Sequence, residues 1–214
     1  MELTKSQIRD VYRRRSANYD LTANLYYLIG FREVKFRKQA VSALGLEQGD
    51  TVIELGCGTG LNFSYLLEAI GPSGKLIGIG LTDAMLDKAR ARVQRNAWLN
   101  VELVHGDIAD YAFPSSVKGV FSSFAFTLVP EYEEVIRRVS EILAPGGRFV
   151  ILDLKKPEKW PLWLVKLGVM ITRPFGVSLD LTDRKPWLVM QRYFAKVSMT
   201  ELYGGFVYCT IAEK

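Results

Sequence analysis

At 214 residues, with 49% hydrophobic, 24% charged and 12% aromatic side chains, the chain can bury a core of its own and has the composition of one globular α/β domain. That excludes a fibrous repeat or a disordered tail, and two cysteines, Cys57 and Cys209, are too few for a disulfide framework and fit a reducing cytoplasm. The net charge of +5 is unevenly spread: residues 1–40 carry nine basic and four acidic side chains, 41–154 nine and 14, 155–196 nine and three, and 197–214 one and two.

In chain order, residues 1–45 form a basic cover of expected helical character, mixed with Tyr12, Tyr19, Tyr26, Tyr27, Phe31 and Phe36, and they open without the apolar run of a signal peptide. Residues 46–154 alternate short apolar runs with amphipathic stretches. The predicted strands are Thr51–Leu55, Lys75–Ile79, Val101–Val104, Val120–Phe124 and Gly147–Leu152. Between them the spacing predicts helices over Asn62–Ile70, Asp83–Arg95 and Glu131–Leu143, the second capped by Thr82 or Asp83. Glu47-Gln-Gly-Asp50 and Ala144-Pro-Gly-Gly147 are the turns that feed the first and fifth strands. Continuous Val/Ile/Leu strands separated by helices predict a parallel sheet covered on both faces, with ligands bound at the carboxyl ends of its strands.

Residues 155–196 are expected to be a helical insert, and 197–214 a C-terminal strand region. The apolar stretch Trp160 to Leu179 is broken by Pro161, Lys166, Arg173 and Pro174 and falls short of a membrane span. Its Trp160, Trp163, Leu164, Leu167, Met170 and Ile171 at helical spacing fit either a helix packed on the domain or one lying in a membrane interface. No nucleic-acid-reading module accompanies the basic charge, so a nucleic-acid partner is not expected.

The sharpest motif is Val52-Ile-Glu-Leu-Gly-Cys-Gly-Thr-Gly60, a buried strand entering a glycine-rich turn at the start of a helix. Glycines let the backbone turn tightly and let a ligand approach, and the helix start offers free N–H donors. The spacing G-x-G-x-G differs from the G-x-G-x-x-G of dinucleotide loops, and no Gly-Lys-Ser/Thr of a triphosphate loop is present.

Glu54-Leu-Gly-Cys-Gly-Thr-Gly60 resembles the first motif of the class I S-adenosylmethionine-dependent methyltransferases. Tyr19-Asp20, Met85-Leu-Asp-Lys-Ala89, Gly106-Asp107 and Leu143-Ala-Pro-Gly-Gly-Arg148 follow in family order. Tyr19-Asp-Leu-Thr-Ala-Asn24 and Ser122-Ser-Phe-Ala-Phe126 are similar in style to ubiquinone/menaquinone C-methyltransferases and to small bacterial phospholipid and aminolipid N-methyltransferases. The resemblance implies a Rossmann-like fold with a mostly parallel seven-stranded sheet, and S-adenosyl-L-methionine as cofactor with S-adenosyl-L-homocysteine as product. It further implies that Glu54 and the backbone of Gly56, Cys57, Gly58 and Gly60 hold the methionine moiety. Asp107 and the Ile108 N–H would meet the adenine, Leu81, Thr82 and Met85 would border ribose and base, and Ser123 and Phe124 would pass under the sulfonium. Tyr19 is carried over as a cofactor contact, and no metal is implied.

One position departs from the resembled pattern. There the second strand ends in an acidic residue that takes both ribose hydroxyls, whereas here Leu76-Ile-Gly-Ile-Gly-Leu81 puts Gly80 in that place. Charge-assisted hydrogen bonds contribute roughly 1.5–3 kcal/mol, so their loss weakens binding about tenfold to a hundredfold unless something substitutes. Asp83 is nearby but starts the next helix. Gly80 therefore keeps open a second reading, a methyltransferase-fold binding module without transfer activity, and a soluble small-molecule methyltransferase is a third.

The acceptor side is less legible. Tyr19, Asp153 and the Arg192-Tyr193 pair are the candidates to face an acceptor, each equally readable as a capping or packed side chain. His105, the one histidine, reads as structural and Cys57 as a small filler; Trp160, Trp163 and Trp187 fit core or pocket lining. The two basic, aromatic segments cover the strand ends in the resembled family. Lys and Arg near an anionic lipid surface contribute roughly 1 kcal/mol each. The expectation is a cytoplasmic enzyme, peripheral on a membrane, with a lipid- or quinone-like acceptor and an oligomeric state that the sequence leaves open.

Overall fold

Five apolar runs of the middle region become strands, and the central ones bury side chains on both of their faces. Val52, Ile53 and Leu55 of β1 (Thr51–Leu55) and Leu76, Ile77 and Ile79 of β2 (Lys75–Gly80) are all nearly fully buried. The computed structural model describes residues 7, 9–11, 13, 31–158, 160–161 and 184–214. Its further elements are α1 (Glu33–Ser42), α2 (Phe63–Ile70), α3 (Asp83–Arg95), β3 (Val101–His105), β4 (Val117–Ser123), α4 (Tyr132–Ile142), β5 (Leu143–Leu154), α5 (Pro186–Tyr193), β6 (Lys196–Leu202) and β7 (Val207–Glu213).

The seven strands form one sheet in the order β3-β2-β1-β4-β5-β7-β6. The first five run parallel, and β7 lies antiparallel between β5 and β6. The mostly parallel α/β sheet is thus as expected. Alternate residues feed two cores: Ile53, Ile77, Phe149 and Ile151 meet Ile136 and Val139 of α4 and Met190 of α5, while Val52, Leu76, Val150 and Leu152 meet Val41 of α1, Leu66 of α2 and Leu86 of α3. Burying each such side chain contributes about 1.5–3 kcal/mol, so packing and not helix propensity holds the layers.

Four of the five predicted strands have other boundaries: β2 and β3 each run one residue further, to Gly80 and His105, and β5 ends at Leu154. β4 starts three residues earlier, at Val117, and ends at Ser123; Phe124 leaves the strand with φ of 51°. β5 absorbs the Ala144-Pro-Gly-Gly147 turn, because the Gly146 N–H donates to Lys214 O and Lys214 N–H to Gly147 O, at 3.0 Å each, which adds the turn to the ladder. Thr82 does stand at the start of α3 but makes no side-chain cap; the Asp83 carboxylate accepts the Ala84 N–H at 2.8 Å. Trp163, Leu164, Leu167, Met170 and Ile171 lie outside the described residues, and among the described ones no helix is long and apolar enough to cross a membrane.

The order of the strands reverses between β1 and β4, and at that point the polypeptide leaves both strands at their carboxyl ends. The turn after β1 is held against the turn after β4: a Cβ on Gly56, where φ is 71°, would lie 2.5 Å from the Ala125 Cβ. Gly56→Ala is therefore expected to lower the unfolding free energy by about 2–4 kcal/mol, from backbone strain and overpacking together. Chemical denaturation measures it, and an unchanged midpoint would show that the two turns are not locked.

Candidate functional site

The crevice where the strand order reverses is the expected ligand position in an open α/β sheet, and a cavity lies there. It has about 960 Å³ of empty volume counting its open mouth. Of the residues singled out in the sequence, Gly56, Cys57, Gly58, Gly80, Leu81, Thr82, Met85, Asp107, Ile108, Ser123 and Phe124 line it. Glu54 and Gly60 lie behind the lining: Glu54 is 1% exposed, and Gly60, with φ of 76°, packs its backbone on the Phe63 ring. Cys57 is buried, its N–H donates to Ile79 O at 2.9 Å, and burial pushes its thiol well up, which suits a filler and not a nucleophile.

Beneath the glycine turn the structure assembles a polar network that the sequence did not disclose. Arg37 of α1, 5% exposed, reaches the cavity wall and donates through Nη1 to Ser123 Oγ at 2.6 Å and to Asn62 Oδ1 at 3.0 Å. Its Nε and Nη2 bind Glu33 Oε1 at 2.8 and 2.5 Å. Asn62 Nδ2 donates to Glu54 Oε1 at 2.6 Å and to Ser123 Oγ at 2.8 Å. Glu54 Oε2 is buried without a hydrogen-bond partner among the described residues. Burial pushes the Glu54 carboxyl up to about 7, opposed by the Asn62 hydrogen bond and the Arg37 charge.

This end of the cavity fits an amino-acid zwitterion. A guanidinium stands on the wall for a carboxylate, and an acid with one unsatisfied oxygen lies under the loop for an ammonium.

The opposite end fits a base. Asp107, after β3, caps the Ala109 N–H through Oδ1 at 2.9 Å, and Ile108 adds a buried apolar surface beside it. His105 is exposed, with Nε2 3.2 Å from Leu81 O, so it clips the strand end and stays out of the lining. Asp83 turns away: Arg13 takes its two carboxylate oxygens at 3.1 and 2.5 Å and holds its carboxyl down at about 2.

On the third side an aromatic group adjoins the cavity. Phe31 packs edge-on against Phe36, Phe124 and Tyr203, with ring centroids 5.6, 5.9 and 5.3 Å apart, and the Arg37 guanidinium lies 5.0 Å from the Phe124 centroid. Of the acceptor-facing candidates, Tyr19 lies outside the described residues. Asp153 does not line the cavity; it is 2% exposed, accepts the Thr127 and Leu154 N–H groups at 2.8 Å each, and burial pushes it up to about 6. Tyr193 is exposed at the end of α5, where its neighbour Arg192 pairs with Glu133 at 2.6 Å, and it too stands outside the lining. Trp187 packs on Tyr208 and Trp160 stacks on Phe206, at 4.9 and 5.8 Å.

Arg184 is a further residue that went unnoticed in the sequence. It donates to Thr127 O at 2.9 Å and to Val129 O at 2.8 Å, bracing the segment whose Leu128, Val129 and Pro130 form the apolar wall. Arg37 and Arg184 read as surface charge because both sit in basic segments. The signal for Arg37 was Glu33 four residues earlier; Asn62 had only its place beside the glycine turn.

Residues 52–147 match a family model described as a methyltransferase domain. Demethylmenaquinone methyltransferase of Listeria welshimeri is 30% identical over 159 residues, which is 73% of this chain and 66% of that protein. The chain thus spans just under two thirds of the length of this relative. Among solved structures, a putative methyltransferase in complex with the Trm112 activator from Haloferax volcanii superposes with a TM-score of 0.75 at 19% identity, over 96% of both chains. A SAM-dependent methyltransferase from Aquifex aeolicus gives 0.63 at 22% identity, over 83% of this chain and 88% of that one.

An ammonium beside Glu54 prefers the ionised acid, whereas burial favours the protonated one in the free protein. Below about pH 7 binding must expel that proton, so affinity for S-adenosylhomocysteine is expected to fall about tenfold per pH unit. Glu54→Gln should flatten the dependence. The free protein should behave oppositely: its raised carboxyl pKa costs stability as pH climbs from the ordinary glutamate range through about 7, and Glu54→Gln should remove that loss. Calorimetry and thermal melts from pH 5.5 to 8 check both signs.

Proposed function

The chain belongs to the class I S-adenosylmethionine-dependent methyltransferases, and on that premise we propose that it methylates a planar hydrophobic acceptor of the quinol type. The aromatic group Phe31, Phe36, Phe124 and Tyr203 carries this reading: its rings are half-buried, and Phe124 also lines the cavity, which puts flat apolar faces next to the cofactor end. The demethylmenaquinone methyltransferases among the relatives support the same acceptor class.

When bound, S-adenosylmethionine supplies a methyl group on an electrophilic sulfonium. The chain's own part is alignment and exclusion of water. Arg37 and Ser123 would hold the carboxylate and the glycine turn the amino-acid backbone, with Glu54 beneath balancing the ammonium. Asp107 would accept from the adenine amine and the Ile108 N–H would meet the ring. Leu128, Val129 and Pro130 close the cavity with apolar surface. Asp153 holds the Thr127 end of this wall by hydrogen bonds and does not line the cavity, so it serves as a positioning residue. Tyr19 stays the candidate to face the acceptor.

We place the acceptor at a membrane surface. Residues 1–40 carry nine basic and four acidic side chains and residues 155–196 nine and three, both mixed with aromatics, a combination that favours anionic lipid. With methyl-labelled cofactor and three acceptors, a demethyl naphthoquinol, an aminolipid and a simple phenol, label is expected in the quinol. Label in the aminolipid or phenol alone overturns the acceptor class. With the quinol in vesicles at low salt, anionic lipid is expected to raise the rate severalfold; indifference to lipid charge removes the membrane part.

A further inference from the structure

In doubly wound folds the ribose of a nucleoside ligand is held at the end of the second strand, by an acidic side chain about 20 residues beyond the glycine turn. Here that place is Gly80, which lines the cavity. The space its side chain would take is filled from behind: a Cβ would lie 3.0 and 3.1 Å from Leu86 Cδ2 and Cγ. Among the described residues nothing nearby substitutes. Asp83 gives its two oxygens to Arg13 and the Ala84 N–H, and the Gly80 carbonyl accepts the Gly106 N–H at 3.1 Å. Asp107 is the one acid among the described residues that line the cavity, and it stands after β3 with Oδ1 on Ala109. The other end is the reverse: Arg37 and Glu54, both buried, meet there through Asn62 and Ser123.

From this asymmetry, and resting on the cofactor site proposed above, we infer that the chain selects its nucleoside ligand at the amino-acid end and not at the sugar. S-adenosyl thioethers that lack one ribose hydroxyl are then ligands of this site at nearly unchanged affinity. A carboxylate holding the diol would instead impose a loss of about tenfold to a hundredfold for each hydroxyl removed.

Calorimetry on the natural chain with four ligands tests this: S-adenosylhomocysteine, its 2′-deoxy and 3′-deoxy forms, and 5′-methylthioadenosine, which lacks the amino-acid end. The deoxy forms are expected within about threefold of the parent, and methylthioadenosine at least about a hundredfold weaker. A loss of about tenfold or more for either deoxy form overturns the inference while leaving the cofactor site standing. Methylthioadenosine binding as tightly as the parent also overturns it. Failure of S-adenosylhomocysteine itself to bind takes down the cofactor site and the inference with it.

In Gly80→Asp, which must push Leu86 aside by a few tenths of an ångström, at least one deoxy penalty is expected to open to about tenfold. A folded Gly80→Asp protein with no penalty shows that the position does not face the sugar and overturns the inference. If that variant does not fold, the ligand series on the natural chain decides.

Discussion

The cavity rests on a charge balance struck under its floor. Arg37 brings a positive charge into a site from which water is largely excluded, and Glu33 and Glu54 bring two acids to it. Buried charge is tolerated when partners and hydrogen bonds answer it, and Asn62 and Ser123 supply the cross-connections. These five residues come from α1, β1, the turn before α2, and the end of β4, so one polar network fixes the mutual position of four parts of the fold. The glycine turn can then stay free of side chains, since its shape is held from below.

The sheet was legible because its central strands are buried on both faces and therefore read as uninterrupted apolar runs, with helices of clear period between them. The ends of strands were less so. Whether Ala144-Pro-Gly-Gly147 is a turn or part of a ladder is decided by Lys214, far along the chain, and no local pattern carries that. The glycine turn and Asp107 were legible because their chemistry depends on local backbone. Arg37 and Arg184 were not, because their roles come from burial and from partners 25 to 86 and 55 to 57 positions away. A basic residue in a basic segment gives no sign of which one turns inward.

The charge pattern takes on a sharper meaning against the structure. Arg13 and Arg37, both from the basic N-terminal segment, do opposite things: Arg13 stays at the surface and draws Asp83 away from the cavity, while Arg37 enters and forms part of its wall. The segment's surplus is thus partly spent on shaping the site, and only the remainder is available to an external anionic surface.

Arg184 holds the carbonyls of Thr127 and Val129, and through them the apolar wall. Such a brace works in both directions. Whatever moves Arg184 alters the wall, and by thermodynamic reciprocity whatever fills the cavity alters the pull on Arg184 by the same free energy. A ligand settling against the wall would therefore be felt at Arg184.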